Sequence, residues 1–408
     1  MNSAAALAGR LAEITAQDEM LPTASTHRIE TLDILRGIAL FGMFVVHFHI
    51  RTPELSGIDE VIRTLVWRLV ESKSHGTFAI LFGAGFAIQL RRAEGQGQPF
   101  VARYLRRLAV LAIFGFAAHA FFGFNVLLGY AIWGVPLLLM RRWSTRRLIV
   151  VAALSAASVG LYHLAAHAYL NLKGGPALVE ATYESQRAVA VNVNDALEAS
   201  EAQDQYTLVL KARLRHMAWF YAQPFFFMPG VTMTLFVVGL LLVRHRVIEE
   251  PRSHLRLLAG MMGFGLVSWV ADNWLLPFSL GLFRDQWLTF TYLAGAVLLL
   301  SYRPDLVMRL RPVGNAGRMA LTNYLLQIAA LDLLFSGYAL GLGQIRPLYV
   351  PAAALACFAA EAVFSTIWLR NFRFGPAEWL WRSLTNGQLQ PLGRTSPDPT
   401  RLEARALD

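Results

Sequence analysis

An acid, a base and a histidine are set along one apolar stretch, RIETLDILRGIALFGMFVVHFHI at Arg28–Ile50. Asp33 stands three residues before Arg36, a separation at which side chains meet on a helix surface. His47 follows Arg36 by eleven residues, close to three helical turns, so both point the same way. The stripe so formed is about 16 Å long at 1.5 Å per residue. Ionisable groups in a lipid-compatible helix are costly and mark function by default. The chemistry they could do is group transfer. A histidine that takes and returns a proton near neutral pH can activate an alcohol or amine. Arginine suits a phosphorylated donor. The plainer alternative is that Asp33 and Arg36 snorkel to the headgroups while His47 sits in the opposite interface.

The elements that must position these residues are membrane helices. Of the 408 residues, 55% are hydrophobic and only 16% charged, against a charged share of about a quarter in soluble domains. Mean hydropathy is +0.43. This is the composition of an all-α, polytopic integral membrane protein. The net charge of +10 resides in clusters between apolar runs, which is how cytoplasmic loops look, so nucleic acid is not an expected partner. Cys357 is the only cysteine, which excludes a disulfide framework and a thiolate metal site, and no metal is expected. Residues 1–27 lack the apolar core of a signal peptide and read as a cytoplasmic tail, with a short surface helix over Ala4–Ile14.

Ten spans are expected: Ile34–Ile50, His75–Leu90, Tyr104–Phe122, Asn125–Met140, Leu148–Leu170, Tyr221–Val243, His254–Pro277, Gln286–Tyr302, Met319–Leu340 and Leu348–Leu369. Between the first two, Val61, Leu65, Trp67 and Leu69 predict a short interfacial helix. Residues 171–216 are polar, carry no apolar run of helix length, and read as a long external loop. That loop divides a five-span half, 28–170, from a second one, 217–391. Trp379 and Trp381 lie on the membrane surface ahead of a cytoplasmic tail, 392–408.

Basic loops alternate. Arg91, Arg92 and Arg103, then Arg141–Arg147, Arg244–Arg256 and Arg303–Arg318 follow the even spans, which places both termini in the cytoplasm. The loop after the first span, with Arg51, Arg63, Arg68 and Lys73, breaks the pattern. With this topology Arg36, Arg106 and Arg107 share the inner level. His47, His119, Asn125, Tyr130, Asp272 and Asn273 share the outer one. Gly83 and Gly85 read as helix-packing residues, and His75 with Lys73 as a cap at the outer surface. Asn323, Gln327 and Glu361 either line a route or bond helices together.

Several stretches carry a family resemblance: LDILRGIALFGMFVVH, FAILFGAGFAIQL at Phe78–Leu90, and RRLAVLAIFGFAAHAFFGFNVLLGYAIWG at Arg106–Gly134. GRMALTNYLLQ at Gly317–Gln327 and GPAEWLWRSLT at Gly375–Thr385 complete them. The chain resembles the YeiB-like bacterial membrane proteins, whose C-terminal half is domain of unknown function 418. It departs from them at two positions: relatives usually carry asparagine where His47 stands and aspartate where Asn125 stands. The resemblance places the chain among transmembrane acyltransferases, beside the lysosomal heparan-glucosaminide N-acetyltransferase and the acyltransferase-three group. Arg36 and His47 are similar to the R-x10-H pattern of the latter, whose histidine is the base and whose donor is cytoplasmic acyl-CoA. The lysosomal enzyme's catalytic histidine has no counterpart here, since no histidine stands between Arg51 and Ser74.

The resemblance implies a multi-pass protein of the bacterial inner membrane. It would move an acyl group from acyl-CoA to an extracytoplasmic hydroxyl or amine on a glycan, lipid or small molecule. His47 is the expected base, with His119 as the second catalytic candidate. Asp33, Arg36, Arg106 and Arg107 would hold the donor's phosphates, and Asn125, Tyr130, Asp272 and Asn273 the acceptor. The rival reading is a transporter or flippase for a small anionic or lipid-linked compound, with breaks at Pro136 and Pro229–Gly230. A non-catalytic membrane subunit is a third. The oligomeric state is open, a homodimer being one arrangement.

Overall fold

The computed structural model describes residues 24–123, 125–223, 226, 230–275 and 286–393. The expected surface helix at Ala4–Ile14, Pro229, the Asp272 side chain and the tail from 394 lie outside the described residues. The described chain is all-helical, with a single isolated bridge between Phe372 and Gly393 as its only β feature.

Fifteen α-helices follow in order. They are α1 (Ala24–His49), α2 (Ile58–Leu69), α3 (Lys73–Gly95), α4 (Val101–Phe122), α5 (Leu127–Leu139), α6 (Thr145–Glu201), α7 (Tyr206–Ala222) and α8 (Gly230–Arg244). Then come α9 (Leu255–Val270), α10 (Trp287–Tyr302), α11 (Pro304–Arg309), α12 (Arg311–Arg318), α13 (Ala320–Phe335), α14 (Val350–Asn371) and α15 (Pro376–Asn386). The expected spans lie largely on helices, except that Tyr221–Val243 starts in the last residues of α7 and resumes in α8. Among the described residues, four regions, Glu30–His49, Val101–Phe122, Thr145–Glu201 and Pro347–Asn371, are long and apolar enough to cross a bilayer. The short helix expected between the first two spans is α2, and Trp379 and Trp381 fall on α15.

Residues 171–216 are not a loop. α6 continues through them to Glu201 and α7 folds back from Tyr206, giving a helical hairpin. The break that separates the apolar from the polar part of α6 falls at Gly174–Gly175, where Gly175 has φ 71° and Pro176 restarts the helix. Only glycine adopts that backbone cheaply.

α1 is the central helix: 83% of its apolar window is buried, against 11% of that of α6. Its neighbours α12, α13 and α14 come from the far end of the chain. The α1–α12 contact is backbone to backbone. A Cβ on Gly37 would fall 2.1 Å from the Val313 carbonyl oxygen, and one on Gly317 1.9 Å from that of Asp33. Gly83 and Gly239 do the same for α3 and α8, at 1.9 Å from Phe236 O and Ile80 O. Small residues let apolar helices approach where lipid offers no other drive to associate.

A polar seam ties α1, α13 and α14 together. Gln327 Nε2 donates to Glu361 Oε2 (2.9 Å) and the Leu40 carbonyl (3.4 Å), and Asn323 Nδ2 to Ser365 Oγ (2.9 Å) and Ala316 O (3.1 Å). Of the two sequence readings for these residues, the geometry gives helix bonding. The two C-terminal motifs meet as well. Glu378 of α15 accepts from the Leu321 and Thr322 amides (2.6 and 3.1 Å) and from Thr322 Oγ1 (2.5 Å), capping the first turn of α13.

Candidate functional site

A cavity of about 170 Å³ opens where α1, α3, α4, α5, α13 and α15 converge. Its composition follows from helix periodicity. Phe78, Leu81, Phe82, Gly85, Phe86 and Gln89 recur at three- and four-residue spacing, so one face of α3 forms a wall. Tyr104, Arg107 and Leu111 do the same on α4. Val126, Leu127 and Tyr130 close it from the α5 side, Ala320, Leu321 and Tyr324 from α13, and Trp381 from α15. Arg36 is the contribution of α1.

Charge is gathered at one end. Arg36 Nη1 donates to Asp33 Oδ1 at 2.5 Å. Arg107 lies over the Trp381 ring, 3.7 Å from its centroid, while the indole Nε1 donates to the Arg107 carbonyl at 2.9 Å. Arg382 and Arg36 lie within electrostatic reach of Arg107. Among the described residues no carboxylate pairs with Arg107 or Arg382. Burial, set against the nearby Glu378 carboxylate and reinforced by Arg92 and Arg36, holds the Arg382 guanidinium below its usual range. Asp33 acts in the same sense as Glu378, so the shift is first an effect of desolvation.

Toward its other end the cavity is lined by two tyrosines. The Tyr130 hydroxyl donates to the His75 carbonyl at 2.8 Å. The Tyr324 hydroxyl accepts from the Val126 amide at 3.4 Å. The His47 ring lies beside Tyr324, centroids 5.6 Å apart, and its Nδ1 is buried without a hydrogen-bond partner. His47 itself is not part of the cavity wall.

The expected site residues therefore separate. Arg36, Arg107 and Tyr130 line the cavity, Asp33 orients Arg36, and His47 adjoins it through Tyr324. Arg106, one residue and about 100° round α4 from Arg107, is exposed and lies near Gly387. Buried His119 packs in an aromatic group with His216 (5.9 Å) and Tyr221 (6.1 Å) away from the cavity. Asn125 is buried with both ends of its amide on backbone, donating to Gly115 O at 3.0 Å and accepting from Leu127 N at 3.1 Å. Asn273, in a π-helical turn, bonds Trp269 O at 2.8 Å within its own segment. Lys73 is buried and reaches Trp67 O at 3.4 Å, so it is no surface cap.

Sequence reasoning passed over Tyr324, Trp381, Tyr104 and Gln89 as site residues. Tyr324 and Trp381 stood inside quoted motifs, and Gln89 closed the face of α3. The available signal was a polar or aromatic residue in phase with an apolar stripe.

Two family models match segments of the chain. Residues 28–178, which supply α1, α3, α4 and α5, match the catalytic region of heparan-alpha-glucosaminide N-acetyltransferase. Residues 242–388, which supply α13 and α15, match the protein of unknown function model DUF418. The chain is thus an all-helical membrane protein with an acetyltransferase-like segment. Uncharacterized protein YxaH of Bacillus subtilis (strain 168) is 30% identical over 401 residues, covering 91% of this chain and 98% of that protein. An uncharacterized 39.9 kDa protein in the amylase 3′ region of Bacillus acidopullulyticus is 30% identical over 380 residues, covering 91% and 98%. Uncharacterized protein YeiB of Escherichia coli (strain K12) is 50% identical over 74 residues, covering 18% and 19%. The chain belongs to the YeiB-like, DUF418-containing family. No solved structure matches it.

Proposed function

We propose that this protein is a membrane acyltransferase that carries an acyl group from cytoplasmic acyl-CoA to an extracytoplasmic hydroxyl or amine. The observation that carries the reading is the cavity, with Arg36, paired to Asp33, and Arg107, paired to no carboxylate among the described residues, at one end and Tyr324, backed by the His47 ring, toward the other. Arg36, set by Asp33, and Arg107, set by Trp381, would hold the donor's phosphates, as guanidinium forks suit them. The phenylalanine-lined middle would take the acyl group. A volume of about 170 Å³ is close to that of a cavity that admits benzene, roughly 150 Å³. That supports an acyl group of few carbons, in keeping with the acetyl group in the name of the matched catalytic region. His47 would take the acceptor's proton.

The reading sets ten spans in the bacterial inner membrane with both termini cytoplasmic, the Arg36 end inside and the His47 end outside. Reporters inserted at Trp143–Ser144 and at Ala202–Gln205, between helices in each case, should report cytoplasm and exterior respectively. The same side for both would overturn the orientation.

The enzyme reading is tested by His47→Asn in reconstituted protein. Asparagine keeps hydrogen bonding but cannot take a proton at neutral pH, so the fold should survive. Acyl-CoA turnover should fall about a hundredfold to ten-thousandfold. Unchanged turnover in a folded variant would remove His47 from the mechanism, whereas a transporter using it as a lining residue should keep much of its flux.

A further inference from the structure

Acyl transfer needs more than a base. As the acceptor attacks, the thioester carbonyl oxygen gains negative charge and requires a donor placed at that point. The arginines stand at the other end of the cavity, where the phosphates would lie. Two hydroxyls reach the cavity near His47, and they differ in what their protons do. That of Tyr130 is committed to the His75 carbonyl at 2.8 Å. That of Tyr324 is not: its oxygen accepts from the Val126 amide at 3.4 Å, and among the described residues no acceptor takes its proton. Tyr324 is 5% exposed, so water competes little for that proton. Its ring is also the one in contact with His47, at 5.6 Å.

We infer that Tyr324 is a catalytic residue, the hydroxyl that donates to the developing oxyanion while His47 acts as base beside it. This rests on the acyltransferase reading. In the step, the acceptor oxygen or nitrogen attacks the thioester carbon and His47 takes its proton. The carbonyl π pair moves to oxygen, where the Tyr324 O–H meets it. The pair then returns, the C–S bond breaks, and the departing thiolate collects the proton from His47 as free CoA thiol. Acceptor plus acyl thioester gives ester or amide plus thiol, with nothing left over.

The inference also fixes where the two matched segments must cooperate. Arg36, Arg107 and His47 belong to 28–178 and Tyr324 to 242–388, so the reacting carbon would lie at their junction.

The test uses purified full-length protein in nanodiscs, with acetyl-CoA as donor and water as acceptor, following thiol release. Tyr324→Phe should lower turnover about a hundredfold to a thousandfold. Affinity for CoA and the melting temperature should stay near wild type. Turnover within threefold of wild type would overturn the inference and leave the function standing. Joint loss of turnover and CoA affinity would assign Tyr324 a packing role and overturn it as well. Absence of cleavage in the wild-type protein would instead remove the acyltransferase reading itself. Should Tyr324→Phe not fold, fluorotyrosine at 324 keeps the hydroxyl and makes it more acidic. A change in turnover with that acidity supports the role, and no change overturns it.

Discussion

Arg107 and Arg213 are both drawn into the protein, and they are treated in opposite ways. Arg213, on α7, has no exposed surface and every side of its guanidinium is answered. It pairs with Asp332 through both Nη atoms, with Glu201 at 2.9 Å, and with the Phe121 carbonyl at 2.6 Å. Asp332 in turn accepts from Ser336 at 2.7 Å and from Tyr338, and Arg51 reaches Glu201 at 2.7 Å. This network pins the tip of the α6–α7 hairpin to the ends of α4 and α13. Arg107 has a tryptophan face and no carboxylate. Saturated arginine is architecture; under the proposed function, an arginine held in place without a carboxylate would meet an anion that comes and goes.

That contrast breaks if the two arginines respond alike. The largest effect expected is on stability. Arg213→Met takes from buried Asp332 its close cation, leaving only Arg51 at 4.0 Å, a loss of about 3–5 kcal/mol that is a large part of a typical total of about 5–15 kcal/mol. Thermal unfolding in detergent should show it, while CoA affinity of the molecules still folded stays near wild type. Arg36→Gln should show the reverse: an unfolding temperature near wild type and CoA affinity reduced about ten- to ten-thousandfold. That range corresponds to one or two charge-assisted contacts of about 1.5–3 kcal/mol each. Arg141→Gln is the comparison, since Arg141 bonds Leu138 O at 3.0 Å away from the cavity. Equal losses at 36 and 141 would mean that the stripe does not hold the donor. The smallest effect is Trp381→Leu. Removing one cation–π contact of about 0.5–2 kcal/mol should weaken CoA binding roughly two- to thirtyfold, read by the same titration.

The sequence made the helices legible because apolar length alone defines them, and it paired Asp33 with Arg36 because i,i+3 geometry is local. It misread 171–216 for the complementary reason. PALVEATYESQRAVAVNVNDALEAS has no long apolar run, but it is rich in alanine and glutamate, which favour helix without any membrane to drive it. Arg106 and Arg107 look equivalent in a charge count and separate only when the helix is given a rotation. Tyr324 and Trp381 stayed out of view because their role depends on which helices pack on α1. That packing is decided by glycine contacts between segments nearly 300 residues apart, a fact no local pattern encodes. His119 shares its expected depth with His47 but not its neighbours, since depth says nothing about direction round the bundle.

The wall supplied by Trp381 has a consequence in time. About 345 residues separate it from Arg36 along the chain. At a synthesis rate of roughly 5–20 residues per second, the first arginine is made roughly 17–70 s before the residue that closes over its neighbour. Through that interval the walls of the basic cleft are made one after another, and it has no floor until Trp381 is in place. A chain that stops short of Gly375 would still insert its helices and still carry its arginines. It would also leave the first turn of α13 without Glu378 to cap it, so early termination should yield a membrane-embedded species that is well made almost everywhere except at the cavity.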